Sequence, residues 1–263
     1  MKLRVAGAEL ACEVTGTGPA LLLLHAFPLG LSMWEPQAAA LAASHQVIRF
    51  DCRGFGGSPP GDGLLTMERI ADDAAGVLDR LGLASAIVGG VSMGGYAALA
   101  MVRRHPERIR ALVLADTRAG ADSPEARANR AAQAEKVRRD GASAIADAVI
   151  PKLLGATSHR ERPELVARVR RTIEANPPRG IADALAGLAA RADSTPTLRE
   201  IRVPTLVVCG DEDVLTPLSE SEGLVRGIAG SRLEVVPAAG HLSSVENPER
   251  FNEVLGKFFT ELH

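Results

Sequence analysis

Gly90-Val91-Ser92-Met93-Gly94 sets one serine between two glycines, directly after the apolar run Ala86 to Val88 and before small and apolar residues in helical order. A serine hydroxyl is a poor nucleophile until a base takes its proton during attack, and that base needs a carboxylate to fix its tautomer. The chain offers both downstream, an acid within Gly210-Asp211-Glu212-Asp213 and an imidazole at Gly240-His241. Ser92, Asp213 and His241 then stand in the order serine, acid, histidine that accompanies a G-x-S-x-G turn. Asp211, two residues from Asp213, and Asp116, at the end of a strand-like run, compete for the role of the acid. A Gly-x-Ser turn also serves close packing alone, and glycine is abundant, at 26 of 263 residues. Packing alone does not account for the downstream order.

Other chemistries find less support. Asp51-Cys52-Arg53-Gly54-Phe55-Gly56-Gly57-Ser58 is glycine-rich but is no phosphate cradle. It lacks a P-loop lysine and the G-x-G-x-x-G spacing, and Pro59-Pro60-Gly61 follows where a phosphate-binding helix would start. Asp51 and Arg53 are read there as pinning loops. No histidine pair at ligand spacing and no carboxylate cluster points to a metal, and no cofactor motif is present. His45, His105, His159 and His263 fall in helical or surface settings. Cys12, Cys52 and Cys209 are odd in number, far apart and set in strand-like apolar runs, as reduced core thiols would be. A formal net charge of -2 gives no bias toward nucleic acid or anionic lipid, and 3% aromatics leave few rings for stacking bases. No run reaches membrane-spanning length and the amino terminus lacks the regions of a signal peptide. The expectation is a cytoplasmic protein without membrane or nucleic-acid partners, monomer or homodimer.

The elements that must position these residues follow from periodicity. Leu3 to Val14 alternates around Gly7 as a hairpin, while Ala20–Leu24, Gln46–Phe50, Ala86–Val88, Ile109–Asp116, Pro204–Cys209 and Arg232–Val236 read as strands, most of them unbroken apolar runs suited to a sheet buried on both faces. Between them, Met33–Ala43, Thr66–Leu81, Tyr96–Arg104, Pro217–Gly227 and Pro248–Phe259 carry helical spacing. The alternation implies a doubly wound, mostly parallel α/β sheet. It is interrupted from Thr117 to Glu200 by an alanine- and arginine-rich stretch, with Leu165, Val169, Ile173 and Ile181, Leu185, Leu188 at helical spacing and Pro151, Pro163, Pro177-Pro178 and Pro196 as breaks. The expected organisation is a core of residues 1–116 and 201–263 with a helical lid, 117–200, between the sixth and seventh strands.

Taken together, His25 to Gly30, Asp51 to Ser58, Gly90 to Gly95, Gly210 to Asp213, and Gly240-His241 through Asn247-Pro248 resemble the signatures of α/β-hydrolase-fold enzymes, and the chain is similar to lidded carboxylesterases and enol-lactone hydrolases. The likeness runs nearly the full length, the lid matching only in being helical. It implies a sheet of about eight strands, Ser92 as nucleophile, His241 as general base and then acid, and Asp213 as orienting carboxylate, selected by the family's Gly-x-x-Asp spacing. The backbone N–H groups of Phe27 and Met93 would form the oxyanion hole. One departure is Ala26, where the family's His-Gly becomes His25-Ala26 and a positive φ would be resisted.

The expected activity is hydrolysis of a carboxylic ester or lactone through an acyl-enzyme. The alternatives are a perhydrolase or haloperoxidase-like reaction, carbon–carbon bond hydrolysis with the same three residues, or a ligand receptor that keeps the fold without catalysis. Leu29, Met33 and Trp34, with Ile145, Val149 and Leu153 of the lid, are expected to line an apolar pocket. His25 lies near it in a loop-organising role. Arg118, Arg127, Arg130, Arg138 and Arg139 are read mainly as solvated outer faces, with pairing to a substrate carboxylate as the other option.

Overall fold

A strand covered by helices on both faces has no solvent side to leave polar, and every residue of β3 (Ala20–Leu24), β5 (Ala86–Val91) and β7 (Thr205–Gly210) is buried. With β1 (Lys2–Val5), β2 (Ala8–Thr15), β4 (Gln46–Phe50), β6 (Ile109–Ala115) and β8 (Arg232–Val236), these strands form one eight-stranded sheet in the computed structural model, which describes residues 1–262. His263 lies outside the described residues. The order across the sheet is β1-β2-β4-β3-β5-β6-β7-β8. The β1–β2 and β2–β4 pairs are antiparallel, and all later pairs are parallel.

The helices are α1 (Glu35–Leu41), α2 (Met67–Arg80), α3 (Met93–Arg104), α4 (Pro124–Asp140), α5 (Ser143–Leu153), α6 (Ala156–Glu161), α7 (Pro163–Glu174), α8 (Pro178–Ala190), α9 (Leu218–Gly227), α10 (Ser243–Glu246) and α11 (Pro248–Thr260). Helix α2 shows how locally the sequence dictates these: the Thr66 hydroxyl accepts the Arg69 N–H (3.2 Å) as its cap, Met67, Ile70, Ala74, Val77 and Leu78 form its buried stripe, and Gly82, at φ 70°, takes the chain out. Prolines make two helices differ from the periodicity. Pro36 at the start of α1 leaves Leu31–Trp34 as a separate 3-10 turn. Pro151 sits inside α5 rather than breaking it, because only the end of the last turn follows and a single backbone bond is forfeited.

The connection from β3 to β4 runs one way across the sheet, and those from β4 through β5 to β6 run the other. Right-handed crossovers therefore put α1 on one face and α2 and α3 on the other; α2 packs on α3, and α1 on α11. The switch falls between the neighbours β3 and β5, where the loops leaving their carboxyl ends diverge and open a crevice, the usual ligand position of such sheets. Helices α4 to α8 all lie between β6 and β7 in the chain, with α4 packed on α8 and α5 on α7. The apolar spacings Leu165, Val169, Ile173 and Ile181, Leu185, Leu188 are the buried faces of α7 and α8. No helix of the described residues is long and apolar enough to cross a membrane.

Candidate active site

Ser92 sits on the turn between β5 and α3, at φ 52° and ψ -112°, a conformation that L-residues adopt only under constraint. The flanking glycines make the turn possible by close approach. A Cβ on Gly90 would lie 2.2 Å from the Gly94 carbonyl carbon, and one on Gly94 would lie 2.1 Å from the Leu24 carbonyl oxygen. The turn is tied down by the Ser92 N–H, which donates to the Ala115 carbonyl (3.0 Å), and by the Ser92 carbonyl, which accepts from Thr117 Oγ1 and the Tyr96 N–H (both 3.0 Å). Helix α3 therefore starts at Met93 rather than Tyr96, immediately after the serine.

The loops after β7 and β8 bring the other two groups to it. His241 Nε2 is 2.7 Å from Ser92 Oγ and its Nδ1 is 2.8 Å from Asp213 Oδ2. Asp213 Oδ1 accepts the N–H groups of Leu215 (2.8 Å) and Thr216 (3.0 Å), and Oδ2 also accepts the Thr216 hydroxyl (2.7 Å). Burial would raise the Asp213 carboxyl, but the His241 and Thr216 hydrogen bonds outweigh it and hold it below the usual carboxylate range. An ionised Asp213 can only accept, so Nδ1 carries the proton and Nε2 is left to accept from the serine. Burial likewise pulls the imidazolium down, yet Asp213 and Asp116 more than offset it and His241 is raised above 6.5.

The rival acids do other things. Asp116 is fully buried, at φ 46°, and its oxygens accept the Gly210 N–H (2.9 Å) and the N–H (3.0 Å) and hydroxyl (2.6 Å) of Ser243. Burial, with the nearby Asp213 charge, pushes its carboxyl up to about 7. Among the described residues, Asp211 accepts only the Ala239 N–H, at 3.3 Å. Cys209 Sγ and the Asp116 and Asp213 oxygens lie within 4.8 Å of one another, the carboxylates already engaged in the bonds just given. All three cysteines are free and buried, and burial raises the thiols of Cys12 and Cys209 to about 11 and about 12 and that of Cys52 well above its ordinary value.

Tyr96 is the first residue of α3 whose N–H closes onto a carbonyl, so the Met93 N–H belongs to the unsatisfied first turn. The Phe27 N–H, in the loop after β3, has no acceptor among the described residues. Ala26 is not among the residues at positive φ, so alanine is accommodated there without strain. His25 is fully buried. Its Nε2 accepts the Cys52 N–H and its Nδ1 faces the Ala26 carbonyl (both 3.0 Å), while burial depresses its pKa; it ties the loop after β3 to the loop after β4. Asp51 accepts the Leu31 (2.7 Å) and Gly57 (2.9 Å) N–H groups, and Arg53 forks onto Asp73 (2.7 and 2.6 Å), which is the loop-pinning expected of them.

A cavity of about 290 Å3 opens over Ser92 and His241, with Phe27, Tyr96, Val149, Leu153 and Leu188 among its apolar walls. Five of the residues expected in or near the pocket are elsewhere. His25 is behind the loop, Ile145 is packed inside the first turn of α5, and Trp34 is buried against the Phe251 ring (6.2 Å). Leu29 and Met33 face a second cleft, of about 240 Å3, shared with Arg168, Val169 and Thr172 of α7. Apolar spacing marks a side chain for burial but does not distinguish core from cavity wall. Conversely, the wall contains polar groups that the apolar reading missed: Arg118, and Asn129, Arg130 and Gln133 along one face of α4, with Lys152 from α5. Of the other arginines, Arg138 pairs with Glu135 and Arg139 with Asp140 on the outer surface, and Arg127 is exposed.

Three further residues hold the site together and carried no motif. Thr216, three residues past the acid, caps its carboxylate. The buried Asn176, in the α7–α8 turn, donates to the Pro28 carbonyl (2.9 Å) and accepts the Gly56 N–H (2.8 Å), fastening the helical segment to two catalytic-end loops. Glu246 is fully buried in α10; Oε1 accepts the Gly240 (2.8 Å) and Leu242 (3.2 Å) N–H groups on either side of His241, and Oε2 accepts the Gly155 N–H (2.8 Å) and Ser158 hydroxyl (2.6 Å) at α6. Its place just before Asn247-Pro248 is the only signal the sequence offered.

An eight-stranded, mostly parallel sheet with a strained serine turn at its switch point is the frame of a known family, and the family model of the alpha/beta hydrolase fold matches residues 19–248; the chain belongs to that family. It is 32% identical over 237 residues to 3-oxoadipate enol-lactonase 2 of Acinetobacter baylyi, across 90% of this chain and 87% of that protein. Among solved structures, a thermophilic esterase from Thermogutta terrifontis with malate bound superposes with a TM-score of 0.97 at 42% identity, covering 100% of this chain and 98% of that one. The enol-lactonase from Burkholderia xenovorans LB400 gives 0.92 at 33% identity, over 99% and 100%.

Proposed function

We propose that the protein cleaves a carboxylic ester or lactone through an acyl-serine intermediate, with Ser92 as nucleophile, His241 as base and acid, and Asp213 as the carboxylate that orients it. It is a carboxylic ester hydrolase, the class its esterase and enol-lactonase relatives share. The observation that carries the mechanism is the continuous hydrogen-bonded line from Ser92 Oγ through His241 to Asp213, 2.7 and 2.8 Å. As Oγ attacks the carbonyl carbon, its proton passes to Nε2 and the ring becomes an imidazolium, stabilised by Asp213. The carbonyl oxygen becomes an oxyanion that the Met93 and Phe27 N–H groups receive; one such donor is worth roughly 3 kcal/mol. Collapse breaks the ester C–O bond, and the Nε2 proton goes to the departing oxygen. Water then attacks the acyl-serine with His241 as base, releasing the acid and restoring the Ser92 hydroxyl.

Helices α4 to α8 act in this reading as a lid, since Val149, Leu153 and Leu188 cover the serine while Asn176, in the α7–α8 turn, and Glu246, holding the start of α6, anchor the middle of the segment. A covered site strengthens each electrostatic contact within it. The free, buried thiols support a cytoplasmic setting. Hydrolysis of p-nitrophenyl butyrate and of a simple lactone tests the reading. Wild type turns both over, and Ser92→Ala and His241→Ala each lower kcat by at least about 10⁴-fold. Mutants as fast as wild type would defeat it.

A further inference from the structure

Asp122 is fully buried at the foot of α4, and three guanidinium groups converge on it: Arg118 and Arg191 on Oδ1 (both 2.8 Å) and Arg130 on Oδ2. Burial would raise this carboxyl, but Arg130 and Arg191 more than offset that and hold it at about 2, so it stays ionised. One negative charge against three positive ones leaves two uncompensated. Glu220 of α9 also acts on Arg118, but it is only half-buried, and Lys152, exposed on the cavity lining, adds another cation that makes no ion pair among the described residues.

Each arginine meets Asp122 with a single edge. Arg130 uses Nε and Arg118 one terminal nitrogen, so among the described residues both Nη groups of Arg130 and one of Arg118 are left without an acceptor, as is the buried Nε of Arg118. Arg118, Arg130 and Lys152 all border the cavity over Ser92, where Asn129 and Gln133 add amides from the same face of α4. Arg191 completes the scaffold from behind, its guanidinium 4.1 Å above the Tyr96 ring, which is itself cavity wall. A neutral, apolar substrate would leave these half-used donors facing an empty charge; a carboxylate fits their fork geometry.

We infer that the substrate is an anion, an ester or lactone bearing a carboxylate apart from the scissile carbonyl, and that Arg118, Arg130 and Lys152 bind that carboxylate while Asp122 aligns the arginines. This rests on the hydrolase reading and narrows its substrate class.

Two matched ester pairs test it by kcat/KM: mono-p-nitrophenyl adipate against p-nitrophenyl methyl adipate, with the carboxylate on the acyl side, and 3-(butyryloxy)benzoate against its methyl ester, with the carboxylate on the leaving side. In at least one pair the anion is expected to be preferred tenfold or more. That preference falls as sodium chloride is raised, and it drops at least tenfold in Lys152→Met and in Arg130→Gln. Arg130→Gln leaves Asp122 with Arg118 and Arg191, and Lys152→Met leaves the Asp122 cluster untouched, so the selectivity ratio is read in folded protein. Ser92-dependent hydrolysis with no preference for the anion in either pair overturns this inference alone, as does a preference that both substitutions leave intact. Absence of Ser92-dependent hydrolysis of all four esters overturns the hydrolase reading instead.

Discussion

In the proposed mechanism His241 can act as a base only while Nε2 is unprotonated, and Asp213 and Asp116 both stabilise the protonated ring. Its raised pKa means the active form accumulates as pH rises, so kcat/KM is expected to climb with a midpoint above 6.5. Burial pushes the Asp116 carboxyl up to about 7, so its charge develops over the same pH range. Asp116→Asn removes one of the charges favouring the imidazolium, so the midpoint moves to lower pH while Asp213 still orients the ring. A pH–rate profile that stays in place in Asp116→Asn would show that its charge does not reach His241. Ser92, Asp213 and His241, which the fold brings within hydrogen-bond reach of one another, were legible as candidates because each follows a glycine closely, and Gly90 and Gly94 are explained by backbone contacts near 2 Å that no side chain tolerates. Thr216 and Asp116 were not legible as partners, since a hydroxyl or carboxylate acquires its role from the fold around it.

Among the elements, the strands and the amphipathic helices were read closely, because unbroken apolar runs and 3.6-residue stripes record burial directly. Helix α4 gave no such stripe. Only Ala134 and Val137 are buried along its 17 residues, and the face it turns to the cavity, Asn129, Arg130 and Gln133, is polar. A polar stripe turned inward has the same composition as one turned to water, which is why these arginines read as solvated. The short helix α10 carries the other element-scale device. One oxygen of Glu246 holds the His241 loop and the other holds the start of α6. Glu246→Gln keeps the volume but turns an NH2 group toward donors, leaving buried N–H groups unsatisfied at about 1–3 kcal/mol each. Thermal and urea unfolding are expected to show a loss of about 3 kcal/mol, together with a fall in kcat from a looser histidine loop. Unchanged stability and unchanged kcat would mean that the four bonds are of no consequence.

At the scale of the whole molecule, residues separated by more than a hundred positions meet because the sheet order reverses between β3 and β5. The loops after β3, β5, β7 and β8 then share one rim. The alternation of strands and helices made that topology accessible from sequence, whereas the docking of the helical segment was not. Its seat depends on contacts such as Asn176 to Pro28 and Glu246 to Gly155, each between a side chain and a distant backbone group. In the proposed mechanism the rim serves to make a single hydroxyl reactive. A fluorophosphonate, which phosphonylates only an activated serine, measures that directly by intact mass and peptide mapping. One adduct per chain is expected, on Ser92, formed at least a hundredfold more slowly in His241→Ala. An adduct on another residue, or labelling of Ser92 at the same rate without His241, would contradict the proposed mechanism.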